Sequence, residues 1–153
     1  MRMISLAKEQ FAIVDTDNFV WLNQYHWSLV PKKSGGFYAQ CWHKGKLIYM
    51  HRMILNVPKG LETDHINHNC LDNRRSNLRI CTKSQNQHNR RPHGKTSKYK
   101  GVAWHSKKWV AHIASNGKSY YLGLFGAETE AAKAYNKAAK KYYGEYAYLN
   151  KIT

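Results

Sequence analysis

Acidic side chains are scarce in this chain of 153 residues, and their scarcity sets its charge. Nine Asp and Glu face 25 Lys and Arg, giving a formal net charge of +16. Residues 1–57 hold seven basic and three acidic side chains, residues 58–97 eight and three, and residues 98–153 ten and three. The positive charge is therefore spread over the whole chain. Such a field attracts a polyanion along an extended surface, and nucleic acid is the partner it favours.

Long hydrophobic runs and paired cysteines are also missing. No run approaches the roughly 18–20 apolar residues that a membrane span needs, and the first residues lack the apolar core of a signal peptide. Cys41, Cys70 and Cys81 are odd in number and form no C-x-x-C pair, which argues against a disulfide framework or a cysteine-based zinc site. We expect reduced cysteines in a cytoplasmic protein that does not bind a membrane. A content of 42% apolar residues, with 5 Trp and 11 Tyr, is enough for a folded core.

The N-terminal part favours short strands, and the fold class predicted for the whole chain is α+β. Alternating or β-branched runs predict strands, separated by turn residues, at Phe11–Val14, Phe19–Leu22, Trp27–Val30, Phe37–His43 and Lys46–Ile54. These strands would form a β-rich layer that leads into the next segment, residues 61–90, which is dense in Asp, His, Asn and Arg.

The C-terminal part has a different pattern. Strands are predicted at 99–104, 109–115 and 119–125, with Asn116-Gly117 as a hairpin turn between the last two. Ala and Tyr recur every three or four residues through Glu128–Tyr143, which predicts an amphipathic helix that Gly144 ends. Residues 90–98 combine Pro, Gly and positive charge and read as a linker able to follow a DNA groove. The predicted organisation is residues 1–89, a basic linker over 90–98, and residues 99–153.

The adjacent pair Asp64-His65 suits phosphodiester chemistry. Hydrolysis of that bond needs an activated water and relief of charge on the phosphorus centre. A hard divalent cation with oxygen ligands supplies the charge relief, and a neutral imidazole can activate the water. Neighbouring side chains of a strand point to opposite faces, so the carboxylate could hold a cation while the imidazole faces the water.

The run from Thr63 to Arg79, TDHINHNCLDNRRSNLR, followed by SQNQHNR from Ser84, resembles the HNH homing endonucleases of phage and intron type. The resemblance implies a ββα-metal site in which Asp64 and Asn86 hold one Mg²⁺ or Mn²⁺ ion. It implies that His65 is the general base and that Asn77 fixes the loop that orients His65. His88 is the alternative to Asn86 as a metal ligand, since His is common at that position elsewhere in the family.

The same resemblance has further implications for the surroundings of the site. Arg74 and Arg75, in the connecting loop with Asn73, become candidates for clamping DNA phosphates. The His51-Arg52 pair, which the family also shows, is expected to support the active-site loop. The implied partner is duplex DNA, with no small-molecule cofactor, and we expect a monomer working in the bacterial host cell of a phage or mobile element.

Residues 99–150 resemble the plant ethylene-response-factor (Apetala-type) DNA-binding domain. The resemblance lies in YKGV at 99–102, WVAHI at 109–113, YLGLF at 121–125, EAAKAY at 130–135 and GEYAYLN at 144–150. It implies a three-stranded antiparallel sheet in the major groove with a helix behind it. Lys100 and Tyr121 replace family Arg and Trp residues, so we expect phosphate contacts with modest sequence preference. The candidate DNA-binding residues are Arg90, Arg91, Lys100, Trp104, Lys107, Lys108, His112, Lys118 and Tyr121.

Two other functions remain open at this point. A DNA-binding regulator would use only the C-terminal part and cut nothing, although the co-occurrence of Asp64, His65 and Asn86 argues against it. A nuclease directed at RNA, or one without substrate preference, would share the site. The leading hypothesis is a metal-dependent DNA endonuclease.

Overall fold

The structure is a computed structural model that describes residues 1–32, 35–94 and 96–152. The chain divides into two compact units, Met1–Lys83 and Ser84–Thr153. Both combine helices with antiparallel strands, in agreement with the predicted α+β class.

In the described residues of the first unit, the strands form three small antiparallel sheets. The strands are β1 (Arg2–Ser5) with β2 (Phe11–Val14), then β3 (Ser28–Pro31), β4 (Phe37–His43) and β5 (Lys46–Tyr49) in sequential order, and β6 (Glu62–His65) with β7 (Leu78–Cys81). Two helices, α1 (Thr16–Leu22) and α2 (Met50–Leu55), and a 3-10 helix at Arg75–Asn77 complete the unit.

One hydrophobic core joins these elements. It is built from Ile4, Leu6, Ala12, Val14, Leu22, Trp27, Ala39, Cys41, Met50, Ile54, Leu71 and Leu78. The core therefore packs against one face of the β3–β4–β5 sheet, and Leu78 of β7 is part of it. Cys41, Cys70 and Cys81 are buried free thiols.

Two of the predicted strands are wrong. Residues 16–22 form helix α1 rather than a strand at Phe19–Leu22, because Asn18 and Leu22, four residues apart, are both buried on one helical face. The predicted strand Lys46–Ile54 stops at Tyr49, and α2 follows with Met50, His51 and Ile54 buried at helical spacing. The N-terminal strand β1 was not predicted.

The second unit begins with helix α3 (Lys83–His88), of which Lys83 still belongs to the first unit. Strands β8 (Val102–His105), β9 (Lys108–Ser115) and β10 (Lys118–Phe125) form one antiparallel sheet with β9 in the centre. Helix α4 (Glu128–Tyr143) and a 3-10 helix at Gly144–Tyr146 follow. The predicted three-stranded sheet and long helix are confirmed.

Helix α4 packs on the sheet through small side chains. Ala131 and Ala132 meet Val102 and Ala111, while Ala138 and Ala139 meet Ile113. Small side chains let the helix lie close to the sheet. At the predicted Asn116-Gly117 turn both residues have positive φ, 52° and 73°, as a two-residue type I′ hairpin turn requires.

At Gly101 the backbone lies directly against the ring of Tyr135 in α4. The φ of this glycine is +73°, and a Cβ placed there would lie 2.0 Å from Cδ2 of Tyr135. The position therefore accepts no side chain without displacement of the tyrosine ring. In the part of the chain that the structure describes, no helix has both the length and the apolar character needed to cross a membrane.

Candidate active site

Asp64 and His65 end strand β6, and both are buried. Their cross-strand partners in β7 are Arg79 and Leu78, so the pair occupies the end of a two-stranded hairpin. Consecutive residues of a strand point to opposite sides, which separates the carboxylate from the imidazole. The hairpin thus offers an acid and a base on two faces.

Asn77 organises the loop between β6 and β7. Its side-chain Oδ1 accepts from the backbone N–H of Asn67 at 2.9 Å, and its Nδ2 donates to the carbonyl of Asp72 at 2.8 Å. Its backbone carbonyl accepts from the N–H of Ile66 at 2.9 Å. One buried side chain therefore ties both ends of the loop that begins immediately after His65.

Asn73 is the side chain that meets the ring of His65. It is fully buried, and its Oδ1 lies 3.4 Å from Nε2 of His65. The amide orientation is assigned by its other end, since Nδ2 donates to the carbonyl of Leu71 at 3.2 Å. The backbone N–H of Asn73 donates to the carbonyl of Ile13 in β2 at 2.7 Å, which anchors the residue to the N-terminal sheet.

Aromatic rings enclose His65 on the side of the β4 strand and helix α2. The rings of His51 and His65 meet edge to face with their centroids 5.0 Å apart, and the ring of Tyr38 lies 6.3 Å from that of His65. Tyr49 stacks on His51 at 5.4 Å. His51 Nδ1 is buried and has no hydrogen-bond partner within residues 1–32, 35–94 and 96–152.

Burial is the main cause of the altered pKa values in this cluster. It lowers the pKa of His65 to about 4, against opposing contributions from Asn73, Asp64 and Asp72. Burial, and then the neighbouring His65, lower the pKa of His51 to about 3. Both imidazoles are therefore neutral at pH 7, and a neutral imidazole has a lone pair with which to accept a proton.

Asp64 is held by Arg79 across the hairpin. Nε and Nη2 of Arg79 donate to Oδ2 of Asp64 at 2.9 and 2.6 Å. Both side chains are largely shielded from water, with 12% of Arg79 and 6% of Asp64 exposed. A buried carboxylate needs such compensation, and the two hydrogen bonds from the arginine fix the orientation of Asp64.

Asp64 offers one type of donor to a cation. Its carboxylate oxygens are the kind of ligand that Mg²⁺ and Mn²⁺ prefer. Among the described residues, no group of three or more His, Cys, Asp or Glu side chains could hold an ion.

The two arginines predicted to clamp phosphate have partners within the first unit. Nε and Nη2 of Arg74 donate to the two carboxylate oxygens of Asp72 at 2.8 and 2.6 Å, and this hydrogen bonding lowers the pKa of Asp72. Nη2 of Arg75 donates to the carbonyl of Ile54 at 3.1 Å. These contacts brace the loop, and the predicted phosphate contacts stay predictions.

Asn86 and His88 lie on α3. The ring of His88 stacks on Tyr143 with the centroids 3.7 Å apart, and its Nε2 lies 3.5 Å from the hydroxyl of Ser84. This packing gives His88 a structural contact within the second unit. Both ligand assignments remain sequence-based predictions.

Lys100 does not point toward solvent in the way a phosphate-binding lysine would. Its Nζ donates to the carbonyls of Gln87, His88 and Arg90 at 3.2, 2.6 and 2.9 Å, at the end of α3. Burial lowers its pKa to about 8. This geometry does not favour the predicted role of Lys100 in DNA binding. It makes the ammonium a cap for the carbonyl end of a helix.

The other predicted DNA-binding residues of the second unit are exposed. They are Arg90 and Arg91 after α3, and Trp104, Lys107, Lys108, His112, Lys118 and Tyr121 on the sheet and its turns. His112 and Tyr121 are cross-strand neighbours with their rings 5.5 Å apart. Because the adjacent Ile113 packs on α4, His112 and Tyr121 occupy the opposite face of the sheet.

The predicted linker at residues 90–98 makes contacts with the second unit. Ser97 is buried, and its hydroxyl donates to Glu128 at 2.7 Å. Lys95 lies outside the described residues.

Sequence reasoning missed several residues of the His65 surroundings. Asn73 was placed in the connecting loop, Tyr38 in a predicted strand, and Arg79 at the end of the nuclease motif. None of the three was predicted to contact Asp64 or His65. The pairing of Asp64 with Arg79 could have been found by aligning the two strands of the hairpin, because opposite charges often face each other across antiparallel strands. The contact of Tyr38 joins residues far apart in the chain, and no local pattern predicts it.

Comparison with known proteins identifies both units. A family model described as HNH endonuclease matches residues 56–88, and one described as AP2 domain matches residues 97–145. An uncharacterised HNH endonuclease of Acanthamoeba polyphaga mimivirus is 34% identical over 157 residues, an alignment that covers 98% of this chain and 80% of that protein. The chain belongs to the HNH endonuclease family, and its C-terminal part is an AP2 domain.

The AP2 relatives are plant proteins. An AP2-like ethylene-responsive transcription factor of Arabidopsis thaliana is 41% identical over 63 residues, which cover 40% of this chain and 13% of that protein. A dehydration-responsive element-binding protein of the same plant is 44% identical over 62 residues, covering 39% of this chain and 30% of that protein. No solved structure matches the chain.

Proposed function

We propose that the protein is a DNA endonuclease in which His65 is the general base and Asp64 holds one divalent cation at the phosphodiester to be cut. Support comes from the family, from the charge of +16, and from a buried carboxylate and imidazole at the end of one hairpin. The single observation that carries the proposal is the neutral, oriented His65 next to Asp64 at the end of one hairpin.

The hydrogen bond from His65 to Asn73 defines which nitrogen acts. Oδ1 of Asn73 can only accept, so Nε2 of His65 carries the proton in this contact. Nδ1 then keeps the lone pair and takes the proton from the attacking water. Asn73 is therefore a positioning residue that selects the tautomer of the base.

Asp64 contributes an orientation fixed by Arg79. Two donors of Arg79 compensate the burial of its carboxylate. Asp64 would hold a Mg²⁺ or Mn²⁺ ion there, and when bound that ion would supply charge relief on the phosphate and assistance to the leaving oxygen. Asn86 as a second ligand rests on the sequence pattern alone.

Asn77 acts on the reaction through the loop. By tying Asn67 and Asp72 it fixes the segment that includes Asn73, and Asn73 in turn meets His65. The AP2 domain supplies duplex binding through the exposed basic and aromatic side chains of its sheet. We therefore expect affinity that falls steeply with salt.

The test is plasmid cleavage with Mg²⁺ or Mn²⁺, comparing wild type with His65→Ala and Asp64→Asn. We expect cleavage by wild type and its loss in both variants, while all three bind a labelled duplex equally. His26→Ala is the control, since it removes an exposed imidazole of the same unit. Cleavage of His65→Ala at the wild-type rate would refute the assignment of the base. DNA binding without cleavage by wild type under any divalent metal would favour a regulator.

The tautomer has its own measurement. In ¹⁵N-histidine-labelled protein, the signals lost in His65→Ala identify this ring. We expect Nε2 to be of the protonated type and Nδ1 of the unprotonated type in wild type above pH 7. Asn73→Leu should mix the two tautomers and lower the cleavage rate without abolishing DNA binding.

A further inference from the structure

One face of the β3–β4–β5 sheet is not covered by the core of the first unit. Side chains alternate along β4, so that Ala39 and Cys41 enter the core. Tyr38, Gln40 and Trp42 therefore project from the other side. This second side is hereafter the outer sheet face.

Strand β5 extends the outer sheet face. Residues directly opposite each other on antiparallel strands share a side of the sheet. Leu47 pairs with Trp42, and Tyr49 pairs with Gln40, so both β5 residues lie on the outer sheet face. Trp42 is 67% exposed and Leu47 57% exposed, which places an open apolar pair at the end of the hairpin.

The outer sheet face is continuous with the surroundings of His65. The ring of Tyr38 lies 5.4 Å from that of Tyr49 and 6.3 Å from that of His65. Tyr49 in turn stacks on His51, which meets His65 edge to face. Side chains of one sheet face thus run from the proposed base to the exposed Trp42.

The charge of this region is mostly positive. Residues 18–61, which include the whole sheet, contain six Lys or Arg and no Asp or Glu, and Glu62 follows at the start of β6. Lys44 is exposed in the β4–β5 turn that joins Trp42 to Leu47. An exposed aromatic with a cation in the adjoining turn matches the sugar–phosphate and base surfaces of DNA, because the cation neutralises a phosphate and the ring packs on a base or sugar.

We propose that the outer sheet face is a DNA-binding surface of the nuclease unit, on which Trp42 and Leu47 contact the duplex to one side of the cut. The four-residue step from Tyr38 to Trp42 spans about 13 Å at the rise of a strand. Together with the separation of Tyr38 and His65, this puts Trp42 within about six base pairs of the cut, at about 3.4 Å per pair. The location of the cut rests on the proposed function, whereas the contact with DNA does not.

Photo-crosslinking tests the contact directly. A photoreactive p-benzoylphenylalanine replaces Trp42 in the full chain carrying His65→Ala, and the probe is a labelled duplex containing a mapped cut, or plasmid DNA if none is found. We expect DNA adducts within about six base pairs of the cut. The same group at Val20, which is 79% exposed on α1 of the same unit, is the control and should give none.

Binding measurements give a second, independent readout. Trp42→Ser should weaken duplex binding by about tenfold, while Val20→Ser should not. Lys44→Gln should lower the slope of log Kd against log salt by about one, and Lys8→Gln, at an exposed turn after β1, should leave that slope unchanged.

The outcomes separate this proposal from the proposed function. Cleavage that depends on His65 but yields no adduct at position 42 would overturn the DNA-binding surface alone. Adducts without cleavage by wild type would overturn the proposed function and leave the surface assigned. Covalent protein dimers in place of DNA adducts would show that a second copy of the chain occupies the face, and would also overturn the proposal.

Discussion

Acid should destabilise the first unit more steeply than its composition suggests, because two buried imidazoles resist protonation. The pKa of His65 is lowered to about 4 and that of His51 to about 3, chiefly by burial. An unfolded histidine titrates near 6.5, so below that pH the unfolded chain binds protons that the folded chain does not. The free energy of unfolding is therefore full above about pH 7 and falls as the pH drops from 6.5 toward 4.

The loss of free energy of unfolding at pH 5 depends little on how far below 5 the pKa values of the folded His65 and His51 lie. At pH 5 both rings are still mostly neutral in the folded protein, while the unfolded rings lie about 1.5 units below their pKa. At about 1.36 kcal/mol per unit, each ring removes about 2 kcal/mol and the pair about 4 kcal/mol. Since domains are stable by only about 5–15 kcal/mol, the first unit should approach unfolding in mild acid.

Thiol labelling isolates the first unit, because all three cysteines are buried within it. Urea titrations from pH 8 to pH 5, read by brief exposure to a dithiodipyridine reagent, give the free energy of unfolding of that unit. His65→Gln and His51→Gln should each reduce the loss between the two pH values by about half. His26→Gln, at an exposed site, is the control.

An unchanged free energy of unfolding between pH 8 and pH 5 would refute the burial of the two rings. A full pH dependence retained in both His65→Gln and His51→Gln would show that other groups cause it. In either case the neutral, buried base of the proposed mechanism would lose its physical support.

Three further predictions concern the second unit and are checked by thermal and urea unfolding. Gly101→Ala should destabilise the second unit by about 2–5 kcal/mol, because the new Cβ meets the Tyr135 ring and the residue has a left-handed φ. Gly117→Ala is the control: it also has a positive φ but lies in open space, so it should lose only the stability that the unfavourable φ costs. Equal losses of stability in the two variants would contradict the role of the Tyr135 contact. Ala127→Thr should stabilise α4 by about 0.5–2 kcal/mol, since Ala127 begins that helix without a side-chain cap. Lys100→Met should cost about 1.5–3 kcal/mol by leaving three carbonyls without their ammonium, whereas a neutral effect with weakened DNA binding would restore its predicted role.

Local sequence patterns were sufficient to predict the turn and the regular elements of the second unit. The Asn116-Gly117 turn, the strands beside it and helix α4 follow from turn chemistry and from a repeat of three to four residues, and the structure confirms them. Helix α1 was not predicted because Phe19 to Leu22 is apolar without interruption, and such a short run does not distinguish a strand from a buried helix. Only the burial of Asn18 together with Leu22 settles the choice.

The candidate site was predictable in its residue types but not in its contacts. Asp64 and His65 stand out because an adjacent acid and imidazole suit the chemistry. The partners that tune them, Asn73, His51 and Arg79, come from a loop, a helix and the opposite strand. Their proximity depends on how the core orders these elements, and a linear sequence does not record that order. The metal ligands and the DNA contacts stay predictions.

The grouping of α3 with the second unit bears on how this enzyme can be divided. A helix of six residues does not persist alone in water, and α3 is kept in shape by the stack of His88 on Tyr143 and by the ammonium of Lys100. A fragment ending at residue 89 would retain Asn86 in its sequence but lose the support of the helix that carries it. Grafting this nuclease onto a different DNA-targeting domain would therefore need either α3 kept together with the side chains of the second unit that support it, or a new scaffold for the helix.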